Sequence, residues 1–133
     1  MRFRLFAAIG VAALFAISCG GVTDPSNNVA DKFSGTLKPG GAIDVYPFNV
    51  SNTGEISVII TALSPVSNAL MGVYYGLPQS DGSCAPLSNP FPGSLTSVVV
   101  SGSIIKGSYC IAIYDYFGTL TVPENYTLTV SHP

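Results

Sequence analysis

From Lys32 onward, apolar and polar residues alternate with a period of two, and this alternation limits the chain to β structure. Asp44-Val45-Tyr46-Pro47-Phe48-Asn49-Val50 sets Tyr46, Phe48 and Val50 on one side, and Glu55 to Thr61 does the same with Ile56, Val58 and Ile60. Tyr126 to Ser131 alternates cleanly. Such segments are half-buried antiparallel strands, with one face to the core and one to water. Turn signals divide them: Pro39-Gly40-Gly41, Asn52-Thr53-Gly54, Asp81-Gly82, Pro92-Gly93, Lys106-Gly107 and Phe117-Gly118. After the N-terminal segment, no stretch carries a helical stripe with caps. The pattern predicts about seven or eight strands, near 34–38, 42–50, 54–63, 69–76, 95–101, 108–115, 118–122 and 125–131, and with that spacing an antiparallel, jelly-roll-like β-sandwich.

One segment breaks the rhythm. Leu77 to Ser94 is a long Pro-, Ser- and Gly-rich connection holding Cys84, and long structureless connections are uncommon unless functional or pinned. On the strand that follows, Tyr109, Ile111 and Ile113 form the better core face, because they include the branched aliphatics. Cys110, Ala112, Tyr114 and Tyr116 then point outward.

The first residues do not belong to this pattern. Met1-Arg2-Phe3-Arg4 is a short cationic start, and Leu5 to Ile17 is an uncharged apolar run of 13 residues. A membrane-spanning helix takes about 20 residues, so the run has the length of a signal-peptide core. Ala16 and Ser18 are small residues placed for cleavage before Cys19. The tetrad Ala16-Ile17-Ser18-Cys19 resembles the lipobox of bacterial lipoproteins, departing from it at Ala16, where Leu is commonest. The resemblance implies that the Cys19 thiol carries a diacylglyceryl group, that the signal is cut just before it, and that the new amine is acylated, with palmitate-type chains. Two or more chains anchor stably, because each buried CH₂ contributes about 0.8 kcal/mol. The competing reading is an ordinary cleavage site, which would leave Cys19 as the free first thiol of a secreted protein. Three divisions follow: 1–18 as signal peptide, 19–31 as lipidated cysteine and flexible tether, and 32–133 as the sandwich. The expected address is the bacterial cell envelope, with the membrane as partner through the lipid, or the exterior if Cys19 is free.

Cleavage removes both arginines and leaves three lysines against seven carboxylates, a net charge of −4. Scattered lysines on an acidic domain form no basic stripe, which excludes nucleic acid as a partner. If Cys19 carries lipid, Cys84 and Cys110 remain as a pair in an oxidising compartment. Their disulfide would close a loop of about 25 residues and contribute about 3 kcal/mol, strapping the long loop over the outer face of the sheet. The alternatives are two buried thiols or half a metal site, for which ligands are few. Asp24, Asn27, Asn28 and Asp31 offer oxygens of the kind calcium takes, but their spacing fits no loop template and reads as solvated linker. No cofactor or metal is expected.

An ordered set of segments resembles a known family. Phe33-Ser34-Gly35-Thr36-Leu37, Pro39-Gly40-Gly41, Tyr46-Pro47-Phe48-Asn49-Val50 and Gly54-Glu55-Ile56-Ser57-Val58 are similar to the opening of bacterial pre-peptidase C-terminal (PPC) domains. Lys106 to Asp115 resembles the Gly-x-Tyr strand near their end. The resemblance spans most of residues 32–131 and implies a jelly-roll-like sandwich. In that family the domain is usually an appendage of secreted peptidases, and some members bind collagen or polysaccharide, some with calcium. This chain carries no peptidase and no match to the calcium-ligand segment, so fold carries over better than function.

Catalytic chemistry has little to work with. A nucleophile needs a base, and the only histidine, His132, sits next to the last residue, where chains fray. Glycosidase chemistry needs two carboxylates across a cleft; Asp115 and Glu124 are candidates but read more simply as strand-end residues. Asn49-x-Ser51 and Asn125-x-Thr127 match a glycosylation pattern yet read as strand and turn residues in a bacterial chain. The expectation is therefore a non-enzymatic binding or structural module. Tyr74, Tyr114 and Tyr116 are the candidate ligand-binding residues, toward a glycan or a protein, because exposed tyrosines stack on sugars and anchor protein contacts. The competing role for them is to pack beneath the 77–94 loop.

Overall fold

Alternating side chains need two sheets to bury one face each, and the chain builds them by crossing repeatedly from one to the other. The computed structural model describes residues 25–133; the expected signal segment 1–18 and the lipid site Cys19 lie outside the described residues. After a 3₁₀ turn at Pro25–Asn27 come β1 (Val29–Leu37), β2 (Ile43–Val50), β3 (Gly54–Ser64), β4 (Met71–Pro78), β5 (Cys84–Pro86), β6 (Phe91–Gly93), β7 (Val98–Ile104), β8 (Gly107–Asp115) and β9 (Glu124–His132). One sheet has the order β1-β9-β3-β7. The other has the order β2-β8-β4-β5, with β6 also on β4, and all pairings are antiparallel. The last strand lies between the first and the third, which is the wrap of a jelly roll. The fold is the antiparallel β-sandwich that the alternation predicts.

The core lies between the sheets. Ile56, Val58 and Ile60 of β3, with Leu128 and Val130 of β9, meet Met71 and Val73 of β4 and Ile111 and Ile113 of β8, all fully buried. Each such side chain contributes about 1.5–3 kcal/mol by leaving water. The Phe-x-Gly-x-Leu segment has a packing reason. Phe33 stacks on Tyr46 with ring centroids 5.0 Å apart, and Leu37 is buried. A Cβ on Gly35 would sit 2.4 Å from the Tyr126 hydroxyl and 2.6 Å from that of Tyr46. Gly35 clears the space in which Tyr46 and Tyr126 hydrogen-bond across the sheets at 2.6 Å, Tyr126 donating onward to Asp44. Burial first, then these hydrogen bonds, push the Tyr126 phenol well above its usual range.

Three expectations need correction. Residues 29–31 are not tether: β1 begins at Val29, and Val29, Ala30 and Asp31 pair with His132, Ser131 and Val130. Three residues, Val-Ala-Asp, are too few to show an alternation of their own, and the order comes from the other end of the chain. The 118–122 segment is not a strand. The adjoining strands β8 and β9 already have neighbours on both sides, so it has no edge to join. In the 77–94 connection, two three-residue strands, β5 and β6, both pair with β4.

Candidate functional site

The outer face of the β2-β8-β4 sheet gathers the candidate residues. Along β8, Tyr109, Ile111 and Ile113 turn into the core, while Cys110 and Ala112 join a separate buried cluster with Cys84 on the other side of the sheet. Cys84 and Cys110 form a disulfide with Cα atoms 5.9 Å apart. Cys110 lies between Pro47 of β2 and Gly76 of β4 in the pairing, and the strap formed by residues 79–86 covers it completely. The strap fits only because position 76 has no side chain: a Cβ there would sit 2.0 Å from the Ala85 carbonyl oxygen. At its tip Asp81 accepts the Ser83 N–H and hydroxyl at 2.9 and 2.6 Å, a local turn bond that holds its carboxyl below the usual range. A shallow hollow of about 350 Å³ opens beside the strap, lined by Val45, Pro47, Pro78, Gln79, Ser83 and Cys110 among others.

From the disulfide, aromatic rings run along the face to one end of the sandwich. Tyr74 donates its hydroxyl to the Cys84 carbonyl at 3.3 Å. Its ring lies 6.3 Å from that of Tyr114, which lies 6.2 Å from Tyr116, which lies 4.9 Å from Phe117. The Tyr114 ring rests on bare backbone, since a Cβ on Gly72 would come within 2.5 Å of it. Burial first, then the neighbouring Tyr116 and Tyr74, raise the Tyr114 phenol above its ordinary value. Tyr74 thus packs against the strap, while the far end of the row opens to solvent: Phe117 is 62% exposed. The structure brings the three tyrosines into one row and adds Phe117, which sequence reasoning read only as part of a turn.

The two carboxylates are near the same end but are occupied. Both oxygens of the buried Glu124 accept the Val66 N–H, at 3.1 and 3.0 Å. Asp115 accepts the Leu120 N–H at 2.7 Å. Each pins a loop, and neither lines the hollow of about 320 Å³ between those loops, which is walled by Val66, Leu70, Phe117 and Leu120. His132 does not fray, which corrects the expectation for a penultimate residue. It is buried, its Nε2 is 3.0 Å from Asp31 Oδ2, and its ring lies 5.3 Å from that of Phe48. It serves to close β1 onto β9. Asn49 and Asn125 are strand residues whose side chains accept the Ser108 and Thr36 hydroxyls at 2.8 and 2.6 Å. Among the described residues, no group of three or more His, Cys, Asp and Glu side chains is gathered as a metal site.

No family model and no curated protein matches the chain. Among solved structures it is similar to the pre-peptidase C-terminal domain of a collagenase from Bacillus anthracis, at 19% identity and a TM-score of 0.50, over 77% of this chain and 89% of that one. At that identity the likeness speaks for the fold, which is that of a PPC-like sandwich.

Proposed function

We propose that this chain is an exported, lipid-tethered, non-enzymatic module of the bacterial cell envelope, whose sandwich presents the aromatic row to a ligand. The observation that carries the reading is polarity. β1 enters at Val29, ten positions after Cys19, at the end of the sandwich where β9 finishes. β8 runs the other way from that end, so Tyr114, Tyr116 and Phe117 lie at the opposite end. A chain held by Cys19 then points the exposed end of the aromatic row away from the membrane. The hydrogen bonds of the buried Glu124, Asp115 and His132 support a non-catalytic role, because the groups best suited to acid–base work are spent on structure.

The test is the intact mass of the mature protein from the membrane fraction of a bacterial host, with and without reductant. The expected result is a chain starting at Cys19 with acyl chains attached, heavier by about two protons after reduction of the disulfide. An unmodified chain in the soluble fraction would overturn the tether. The second reading, a secreted adhesion module, draws on the same rings. It predicts saturable binding on a glycan and matrix panel, lost in Tyr116→Ala and Phe117→Ala; the panel includes collagen because the solved neighbour belongs to a collagenase.

A further inference from the structure

The end of the sandwich where β1 begins is tied together by hydrogen bonds between distant pieces of chain. Asn28, just before β1, donates its side-chain amide to the Glu55 carbonyl at the start of β3, at 3.4 Å. Gly54, next to Glu55, pairs with Ile104 at the end of β7. Thr53, next again, accepts the Lys106 N–H on its hydroxyl at 3.4 Å. The entry of the chain therefore lies close to the turn between β7 and β8, which is formed by Ile105 and Lys106.

That turn presents a side chain that turns seldom carry, since they favour Gly, Asn, Asp, Ser and Pro. Ile104 is buried, but Ile105 is 65% exposed, the highest value of any large apolar side chain among the described residues. Its backbone is pinned from the core, where Tyr109 donates its hydroxyl to the Ile105 carbonyl at 3.0 Å. Lys106 beside it is exposed as well. Val29, 54% exposed, opens β1 at the same end. The carboxylates nearby are turned or held elsewhere. Glu55 precedes the buried Ile56 and so faces the outer side of its sheet, and Asp31 lies against His132. An aliphatic side chain beside a lysine suits the boundary of a bilayer, where the first enters among the acyl chains and the second reaches an anionic headgroup.

We propose that Ile105 and Lys106, with Val29 at the chain entry, form a foot that rests on the lipid surface to which Cys19 holds the protein. The inference rests on the tether proposed above and adds a second contact to it. Reach selects lipid as the occupant. Six residue steps separate Cys19 from Pro25, where the described chain begins, and they span about 20–22 Å at full extension. A surface kept within that distance of the bilayer meets it at high effective concentration, so a contact too weak to hold a free protein can close. Standing on the foot, the sandwich holds Tyr116 and Phe117 away from the membrane, in the sense that the proposed function requires.

The chain has no tryptophan, so a single indole reports its own surroundings. Full-length Ile105→Trp and Phe117→Trp chains are purified in detergent from whichever fraction holds them. Each is mixed with phosphatidylethanolamine and phosphatidylglycerol brominated on the acyl chains, freed of detergent and floated with the vesicles. Both positions are exposed, so thermal unfolding should match the parent. The expected result is that both chains float, that the Ile105→Trp emission is shifted to the blue and mostly quenched, and that the Phe117→Trp emission is unshifted and mostly retained. Adding Lys106→Glu to Ile105→Trp should restore part of the lost emission, and an unchanged signal would remove the lysine from the contact. Floating chains quenched alike at both positions, or more strongly at 117, would overturn the foot and leave the tether standing. Chains that stay behind unquenched would overturn both, and the acyl mass would identify the failure as that of the tether.

Discussion

The two outer faces of the sandwich solve the same problem in opposite ways. On the β1-β9-β3 face, hydroxyls and amides bond across strands: Ser34 with Thr127 at 2.8 Å, Thr36 with Asn125 at 2.6 Å, Thr61 with Thr129 at 3.4 Å. That face is finished by water. On the β2-β8-β4 face the outward positions are Val45, Cys110, Ala112, Tyr74 and Tyr114, and a second small core forms where only one sheet exists. Apolar atoms there must be covered by something, and the chain supplies a strap, a disulfide and stacked rings. A sheet face is therefore not polar by default. The face that departs from polarity is the one where binding is worth seeking.

The largest test of this difference is to cut the strap. Cys84→Ser with Cys110→Ser should lower unfolding free energy by about 3 kcal/mol in the chain-entropy account, read from urea denaturation. A loss under about 1 kcal/mol would mean the strap stays down without its bond. Next comes Gly76→Ala, whose added methyl meets backbone rather than a movable side chain. Overpacking of that kind costs roughly 1–3 kcal/mol, and the Leu77 and Ala85 amides should exchange faster as the strap lifts. Unchanged exchange would show that the sheet absorbs the methyl elsewhere.

Alkaline titration reads one phenol of the aromatic row and one of the core between the sheets. Tyr114 and Tyr126 hold their protons longer in the folded state than in the unfolded one. Their contribution is complete below the unfolded value of about 10 and is lost as pH rises beyond it. Stability should hold to about pH 10 and then fall. Tyrosinate absorbance of the folded protein should lag that of the protein in urea, and coincident curves would refute the burial of these rings. The smallest effect belongs to the hydroxyl face, where Thr127→Ala should stay within about 0.5 kcal/mol. A loss above about 1.5 kcal/mol would make the hydroxyl ladder a structural element rather than a solvated surface.

Much of this contrast is readable along β8. Period two alone assigns Ile111 and Ile113 to the core and Cys110 to the other side, and the expectation of an oxidising compartment pairs Cys110 with Cys84. Most of what escapes has one cause, the separation of partners in sequence. Asp31 looks like linker until His132, 101 residues later, closes on it. Tyr126 alternates inward, but its acceptor Asp44 lies 82 residues away. Glu124 reads as a strand-end residue, which it is, but nothing local announces that Val66 needs it as an acceptor. β5 and β6 are too short to alternate, and their prolines argue against strands. The aromatic row was legible in part: Tyr114 and Tyr116 follow from the pleat, whereas Phe117 joins them only because the chain bends after β8.

The position of β9 bears on how such a chain is made. The last strand of the sandwich lies between β1 and β3, and neither of those touches the other in the sheet. Without β9 that sheet has no middle: β3 keeps β7, but β1 has no partner in it. β1 therefore cannot join that sheet before β9 has formed. The barrier is entropic, because the nearest partner of β1 is about a hundred residues away. The strand that opens the sandwich is thus held in its sheet only by the strand that closes it.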